Sequence, residues 1–153
     1  EIVVNKALEN DISLSIAESC TGGFIGHRIT QISGSSKIFK GSVVVYSNSS
    51  KVNLLGVGEN CITKHGAVSE ETAKEMAEKV RKMFSSKLGL SITGIAGPDG
   101  GSKEKPIGLT YIGVSTKNET KVRKFQFGLI RKSNKVRASQ AALNWMRLEI
   151  SNV

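Results

Sequence analysis

Cysteine, proline and aromatic residues are all scarce in this chain of 153 residues: two Cys, two Pro, and Phe, Trp and Tyr together only 5%. Two thiols far apart in sequence cannot frame a disulfide scaffold, and with two His they offer no zinc-binding spacing. So few rings exclude a platform on which nucleic-acid bases would stack. No apolar run approaches the roughly 20 residues a bilayer crossing needs, and no secretory signal pattern opens the chain. The expected setting is the cytoplasm, with reduced thiols and no membrane partner. Beginning at Glu1 rather than Met, the chain leaves room for a preceding segment or domain.

What is present is ordinary globular composition, 39% hydrophobic and 23% charged, which excludes disorder and collagen-like sequence. The length fits one domain over residues 1–153, burying roughly 70% of the surface of the unfolded chain. Positive charge is the one excess, at +9. Eight basic residues against the single acid Glu119 lie between Lys117 and Arg137, a net +7. That stretch is either a solvated hairpin and helix start, or a surface for a small anion or a polyanion.

The pattern along the chain alternates between strand and helix. Residues 12–17 read as a strand, the Glu18–Gly23 segment as a turn, and a helix follows with Phe24, Ile25, Ile29 and Ile32 on one side. Residues 42–46 are a β-branched strand, after which Asn48-Ser49-Ser50 can cap a short helix through Leu55. The clearest helix runs from about 70 to 85, capped by Ser69, with Ala73, Met76, Ala77, Val80, Met83 and Phe84 facing a core. Residues 88–93, 107–116 and 120–128 read as strands, the last two joined as a hairpin, and a final helix spans about 133–150. Strands mixed with helices predict a three-layer α/β/α sandwich with a mixed sheet.

Three segments at strand ends are built like sites, where open α/β sheets place their ligands. In the first, Ser19 sits between strand and helix, and Gly22-Gly23 allows backbone to approach a ligand. Free N–H groups at the following helix start would favour an anion or oxyanion. The bland alternative is a glycine-bearing helix start with a buried Ser. Cys20 is a rival nucleophile, because a thiol at a helix N-terminus acidifies; an inert buried thiol is the alternative. In the second, Tyr46 ends a strand and Lys51 falls in the first turn of the next helix, so both can point at one pocket. The third is the loop 94–101, with four glycines in eight residues, read either as a tight turn or as a loop wrapping a ligand. It lacks the Gly-Lys-Ser/Thr ending of a phosphate-binding P-loop. His65 could act as a base, though a loop His before a helix is more often structural. No paired-carboxylate, zinc or Gly-x-Ser-x-Gly motif occurs. Spacing alone yields a pocket without a reaction.

Taken together, Ala17-Glu18-Ser19-Cys20-Thr21-Gly22-Gly23, Val45-Tyr46-Ser47-Asn48 with Lys51, His65-Gly66-Ala67-Val68-Ser69, and Gly94–Gly101 with Lys105-Pro106-Ile107-Gly108 resemble the CinA C-terminal domain family, the PncC-type nicotinamide-nucleotide amidohydrolases. The likeness covers nearly the whole chain in order; the CinA N-terminal domain is absent from the sequence, as in a stand-alone PncC-like protein or a fragment. The resemblance implies hydrolysis of nicotinamide mononucleotide to nicotinate mononucleotide and ammonia, with no metal and no cofactor. It assigns Ser19 as nucleophile, Lys51 as its base and Tyr46 as an assisting group. Attack by Ser19 would then form an oxyanion that the amides around Thr21, Gly22 and Gly23 could stabilise. The nucleotide phosphate falls to Arg137, with the loop carrying Gly97, Gly100 and Gly101. Where the family reads Gly-Asp-Arg, this chain reads Gly128-Leu129-Ile130-Arg131, so the acid that would orient Arg131 is missing.

This assignment carries a physical demand. A Lys acts as a base only when neutral, so its pKa must fall from about 10.4 to near 7, a cost of about 4 kcal/mol. The competing expectation is a non-catalytic CinA-like module that binds nucleotides or nucleic acid through the basic C-terminal region. A third is hydrolysis of another amide or ester by the same pair. A small-molecule nucleotide is the expected ligand, nucleic acid is not expected, and a homo-oligomer is.

Overall fold

The computed structural model describes residues 1–153 as a five-stranded sheet between two layers of helix. In chain order the elements are α1 (Ile2–Glu9), β1 (Leu14–Glu18), α2 (Phe24–Thr30), β2 (Phe39–Val44), α3 (Asn48–Asn53), α4 (Glu59–His65), α5 (Glu70–Met83), β3 (Leu88–Gly94), β4 (Leu109–Ser115), β5 (Thr120–Gln126) and α6 (Arg131–Glu149). Strand order is β2-β1-β3-β4-β5, with β2, β1 and β3 parallel and the β4–β5 hairpin antiparallel. This is the three-layer mixed-sheet sandwich that the element pattern predicts. No helix is long and apolar enough to cross a membrane.

Each sheet face has its own core. Leu14, Ile16, Leu90, Ile92 and Ile112 meet α1, α2 and α6 through Val4, Ile25, Ala142 and Trp145. Ala17 and Val45 meet α5 and the α3–α4 region through Leu55, Ile62, Met76 and Val80. Full burial of each large side chain stabilises the fold by roughly 1.5–3 kcal/mol. Helix α5 lies unusually close to the sheet because the residues beneath it are small. A Cβ added at Gly89 would lie 2.5 Å from the Ala77 carbonyl oxygen, and one at Gly113 would lie 2.7 Å from that of Ala73. Between them the Ser91 hydroxyl donates to the Ala73 carbonyl at 2.5 Å.

Several boundaries differ from the sequence expectation. The second strand runs over Phe39–Val44 rather than 42–46. Its early residues are polar or glycine, so β-propensity marks only its end. Helix α3 is capped by Ser47, whose hydroxyl accepts from the Ser50 amide at 3.0 Å, rather than by residues 48–50. Helices α1 and α4 have no counterpart in the sequence reading. The first opens on Ile2-Val3-Val4 without a side-chain cap, and the second is only seven residues long; both are held by packing rather than by local signals. The Ser69 cap of α5 is as expected, its hydroxyl accepting from the Thr72 amide at 3.1 Å.

Candidate functional site

The parallel strands β1, β2 and β3 all end on one edge of the sheet, and the segments leaving them converge there. Ser19 follows β1, with its amide bonded to the Ile92 carbonyl of β3. Lys51 comes from α3, which the turn after β2 starts close by. Its amine lies 2.9 Å from the Ser19 hydroxyl oxygen, and it donates to the Val45 carbonyl at 2.8 Å and the Tyr46 carbonyl at 3.2 Å. The residue is 1% exposed, and no carboxylate lies within 4.0 Å of the amine. Burial lowers its pKa from the usual Lys value, opposed only weakly by Cys20. Two carbonyls therefore hold two N–H bonds, and the remaining valence of the nitrogen is aimed at Ser19. In the neutral amine that valence is a lone pair, able to accept the hydroxyl proton.

The pair borders a cavity of about 170 Å³ whose wall includes Tyr46, Asn48, Val68, Thr93 and Arg131. Arg131 spans the mouth, donating to the Tyr46 hydroxyl and to the Gly97 carbonyl, both at 2.8 Å. Asn134, one turn further along α6, ties the same glycine-rich loop to the segment after β5 by donating to the Ala96 and Gly128 carbonyls at 3.0 and 2.9 Å. Cys20 also lines the cavity, but burial above all pushes its thiol up to about 12, with the Glu18 charge adding to the effect. At neutral pH it is a protonated thiol, not a nucleophile.

Other expected site residues stand elsewhere. Arg137 does not reach this cavity; it is exposed on α6 with its guanidinium 6.0 Å above the Phe127 ring. Six residues separate it from Arg131, which puts the two about 120° apart around the helix axis. Arg137, expected to hold the nucleotide phosphate, is thus not among the residues lining this cavity, and Arg131 is.

The glycine-rich loop is not an open cradle. Cβ atoms at Gly97 and Gly101 would lie 2.6 and 2.8 Å from the Ile107 side chain, so these glycines let the loop fold back on Ile107, while Gly100 is exposed. His65 ends α4 and faces Glu71, with Nδ1 3.2 Å from the carboxylate.

The amides of the Thr21–Gly23 turn are also not all free. The Glu18 carboxylate, fully buried, accepts from the Thr21 hydroxyl at 2.6 Å and from the Gly23, Ile25 and Gly26 amides at 2.8–3.1 Å. The start of α2 is thus occupied by a carboxylate from its own chain. The Gly22 amide bonds to the Ser19 carbonyl at 3.0 Å. Within this turn the amides that reach no acceptor on another residue are those of Cys20 and Thr21, directly after Ser19. A buried acid just ahead of Ser19 was the signal in the sequence; its partners are invisible without the fold.

The family model for the CinA C-terminal domain matches residues 1–150. A CinA-like protein of Endomicrobium trichonymphae is 53% identical over 143 residues, covering 94% of this chain and 33% of its own length. One from Kosmotoga olearia is 47% identical over 147 residues, 96% of this chain and 36% of its own. The chain thus spans about a third of the length of these curated relatives. Among solved structures, the competence/damage inducible protein CihA from Agrobacterium tumefaciens superposes with a TM-score of 0.90 at 32% identity, covering 99% of this chain and 96% of that one. A CinA superfamily protein from Klebsiella pneumoniae gives 0.95 at 23% identity, covering 99% and 95%, a likeness of fold.

Proposed function

The chain belongs to the CinA C-terminal domain family, and we propose that it hydrolyses the carboxamide of nicotinamide mononucleotide, giving nicotinate mononucleotide and ammonia through a Ser19–Lys51 dyad. The observation that carries this reading is a buried amine without an ionic partner, 2.9 Å from a serine hydroxyl at the strand-edge cavity. A charged lysine meets hydrogen-bond acceptors there but no acid to offset the burial of its charge. A base needs such a place, because burial favours the neutral form.

In this reading neutral Lys51 takes the Ser19 proton as the oxygen attacks the carboxamide carbon. The tetrahedral oxyanion turns toward the amides of Cys20 and Thr21, the donors left open by the turn. When the C–N bond breaks, Lys51 returns the proton to the leaving nitrogen, which departs as ammonia. Water then attacks the Ser19 ester with Lys51 again as base, and nicotinate mononucleotide leaves as Ser19 regains its proton. Arg131 and Tyr46 close the mouth and orient the substrate. Two unpaired thiols accord with a cytoplasmic reaction.

The basic segment weakens the non-catalytic polyanion reading, since four of its eight charges are divided among separate tasks. Lys121 pairs with Glu119 and Glu149, Arg123 lies over Trp145, Arg131 spans the cavity mouth and Arg137 lies over Phe127. Purified protein incubated with nicotinamide mononucleotide should release ammonia. Ser19→Ala and Lys51→Ala should each lower kcat by about 10³-fold or more with the circular dichroism spectrum unchanged. Full activity in both variants would remove the dyad.

A further inference from the structure

On β1 the side chains of Leu14 and Ile16 face the α2 layer, and the alternation of a strand turns Glu18 the same way. Where a third apolar residue would complete the series stands a carboxylate, fully buried and with no cation within 4.0 Å. Burying such a charge is costly unless hydrogen bonds replace its water. Here Oε2 accepts from the Thr21 hydroxyl at 2.6 Å and from the Gly23 and Ile25 amides, each at 3.1 Å. Oε1 accepts from the Gly26 amide at 2.8 Å and from the Ser42 hydroxyl at 3.4 Å. All of these donors but Ser42 belong to residues 21–26, so the carboxylate closes a loop around Ser19, Cys20 and Thr21.

The near end of that loop is fixed by the Ser19 amide on the Ile92 carbonyl at 3.0 Å, and the far end by the Glu18 bonds to Thr21 and Gly23. Gly22 and Gly23 take left-handed φ of 63° and 92°. A backbone this permissive points the preceding amides only as its ends are held. The Glu18 carbonyl meanwhile accepts from the Val45 amide at 2.8 Å, and the Val45 carbonyl accepts from the Lys51 amine at 2.8 Å. One residue thus ties the amides that receive the oxyanion to the segment that aims the base. We propose that Glu18 is a positioning residue for the reaction: through Thr21, Gly23, Ile25 and Gly26 its carboxylate sets the Cys20 and Thr21 amides toward the oxyanion. This role rests on the Ser19–Lys51 reading of the site. Charge and geometry act in opposite directions here. A carboxylate close to a developing negative charge disfavours it, so neutralising Glu18 would speed the reaction if charge alone counted. Loss of the amides' aim slows it.

Kinetics of Glu18→Gln, well below the melting transition of every variant, separate the two effects. Ammonia release from nicotinamide mononucleotide should fall in kcat by about tenfold or more with KM within about threefold, the pattern of an interaction made only in the transition state. Thr21→Val removes one of the carboxylate's bonds and should lose less. The double variant should lose far less than the product of the two single losses, since both act through one contact. Val114→Ala, a buried change toward the other end of the sheet, loses stability and should hold kcat within about twofold. A second substrate, p-nitrophenyl acetate, reports acetylation of Ser19 without nicotinamide, with Ser19→Ala as the background. Here too Glu18→Gln should slow the reaction about tenfold or more. An unchanged or raised kcat in Glu18→Gln, or a loss confined to KM, overturns the positioning role. So does an equal loss of kcat in Val114→Ala. Acetylation of Ser19 that Glu18→Gln slows, with no ammonia released by the wild type, sinks the amidohydrolase reading and leaves Glu18 in its role. Neither reaction in the wild type overturns both.

Discussion

The Lys51 amine and the Ser19 hydroxyl, 32 residues apart in sequence, stand 2.9 Å from each other in a site where the amine has no acid to balance it. Burial lowers the pKa of Lys51 below its usual value near 10.5. Between the folded and unfolded pKa values the unfolded chain binds more protons, so stability rises with pH across that window. Below the folded pKa the full penalty of burying the ammonium remains. The stability difference between wild type and Lys51→Met should accordingly shift in favour of the wild type as pH climbs toward 10.5. The kcat/KM profile should carry an acid limb with its midpoint below 10.5, lost in no other single variant of the cavity. A limb at 10.5 or above would falsify the neutral-base assignment.

Cys20 and Ser19 are neighbours in one cavity, and only one of them is the nucleophile. With its thiol held near 12 by burial, Cys20 should resist iodoacetamide at pH 7.5 in the folded protein. Cys20→Ala should keep kcat/KM within about threefold of wild type, as expected of an inert buried thiol. Mass spectrometry of the labelled protein and a single kinetic comparison decide this, and rapid labelling with loss of activity would reverse the roles.

Arg131 binds both the Tyr46 hydroxyl and the Gly97 carbonyl. Arg131→Ala should lower kcat/KM by about 10- to 100-fold, the equivalent of losing a charge-assisted hydrogen bond. Tyr46→Phe removes one of the two contacts and should have the smaller effect. Arg137→Ala, on the other side of the helix, should stay close to wild type. Steady-state kinetics on the three variants would show the opposite order if the helix face had been misassigned.

Glu18 is the anchor of the nucleophile turn. Glu18→Gln keeps its shape but sets an amide group against donors, and should cost about 2–3 kcal/mol. For a domain of this size that lowers Tm by roughly 5–10 °C. Urea unfolding checks it; a loss under about 0.5 kcal/mol would mean that the carboxylate is dispensable.

The sheet and the convergence of three candidate segments were legible because strand ends announce themselves, whereas the pairing of Ser19 with Lys51 was implied only by the family resemblance. Alternation stops at Glu18, β-branching at Val45, and glycine begins at Gly94. The strand-edge rule for α/β folds then brings those ends together. What could not be read was how backbone amides are shared out. Sequence offers the helix start at residues 21–23 as an open anion site, yet Glu18 occupies it, an outcome that depends on strand β1 aiming its last side chain under the turn. Helix faces near a terminus were equally opaque. Arg131 and Arg137 differ by rotation about an axis whose starting residue no cap marks, since Ile130 supplies no side-chain bond. Helices α1 and α4 form because α6 and α5 offer them a surface, and nothing local says so.

The orienters of Lys51 are main-chain oxygens at positions 45 and 46. No point substitution deletes a carbonyl. The aim of the amine is therefore indifferent to side-chain identity at these two positions, even though the core holds Val45 and Arg131 holds Tyr46 for other reasons. To turn the amine away from Ser19, a substitution has to bend the backbone that carries the two oxygens.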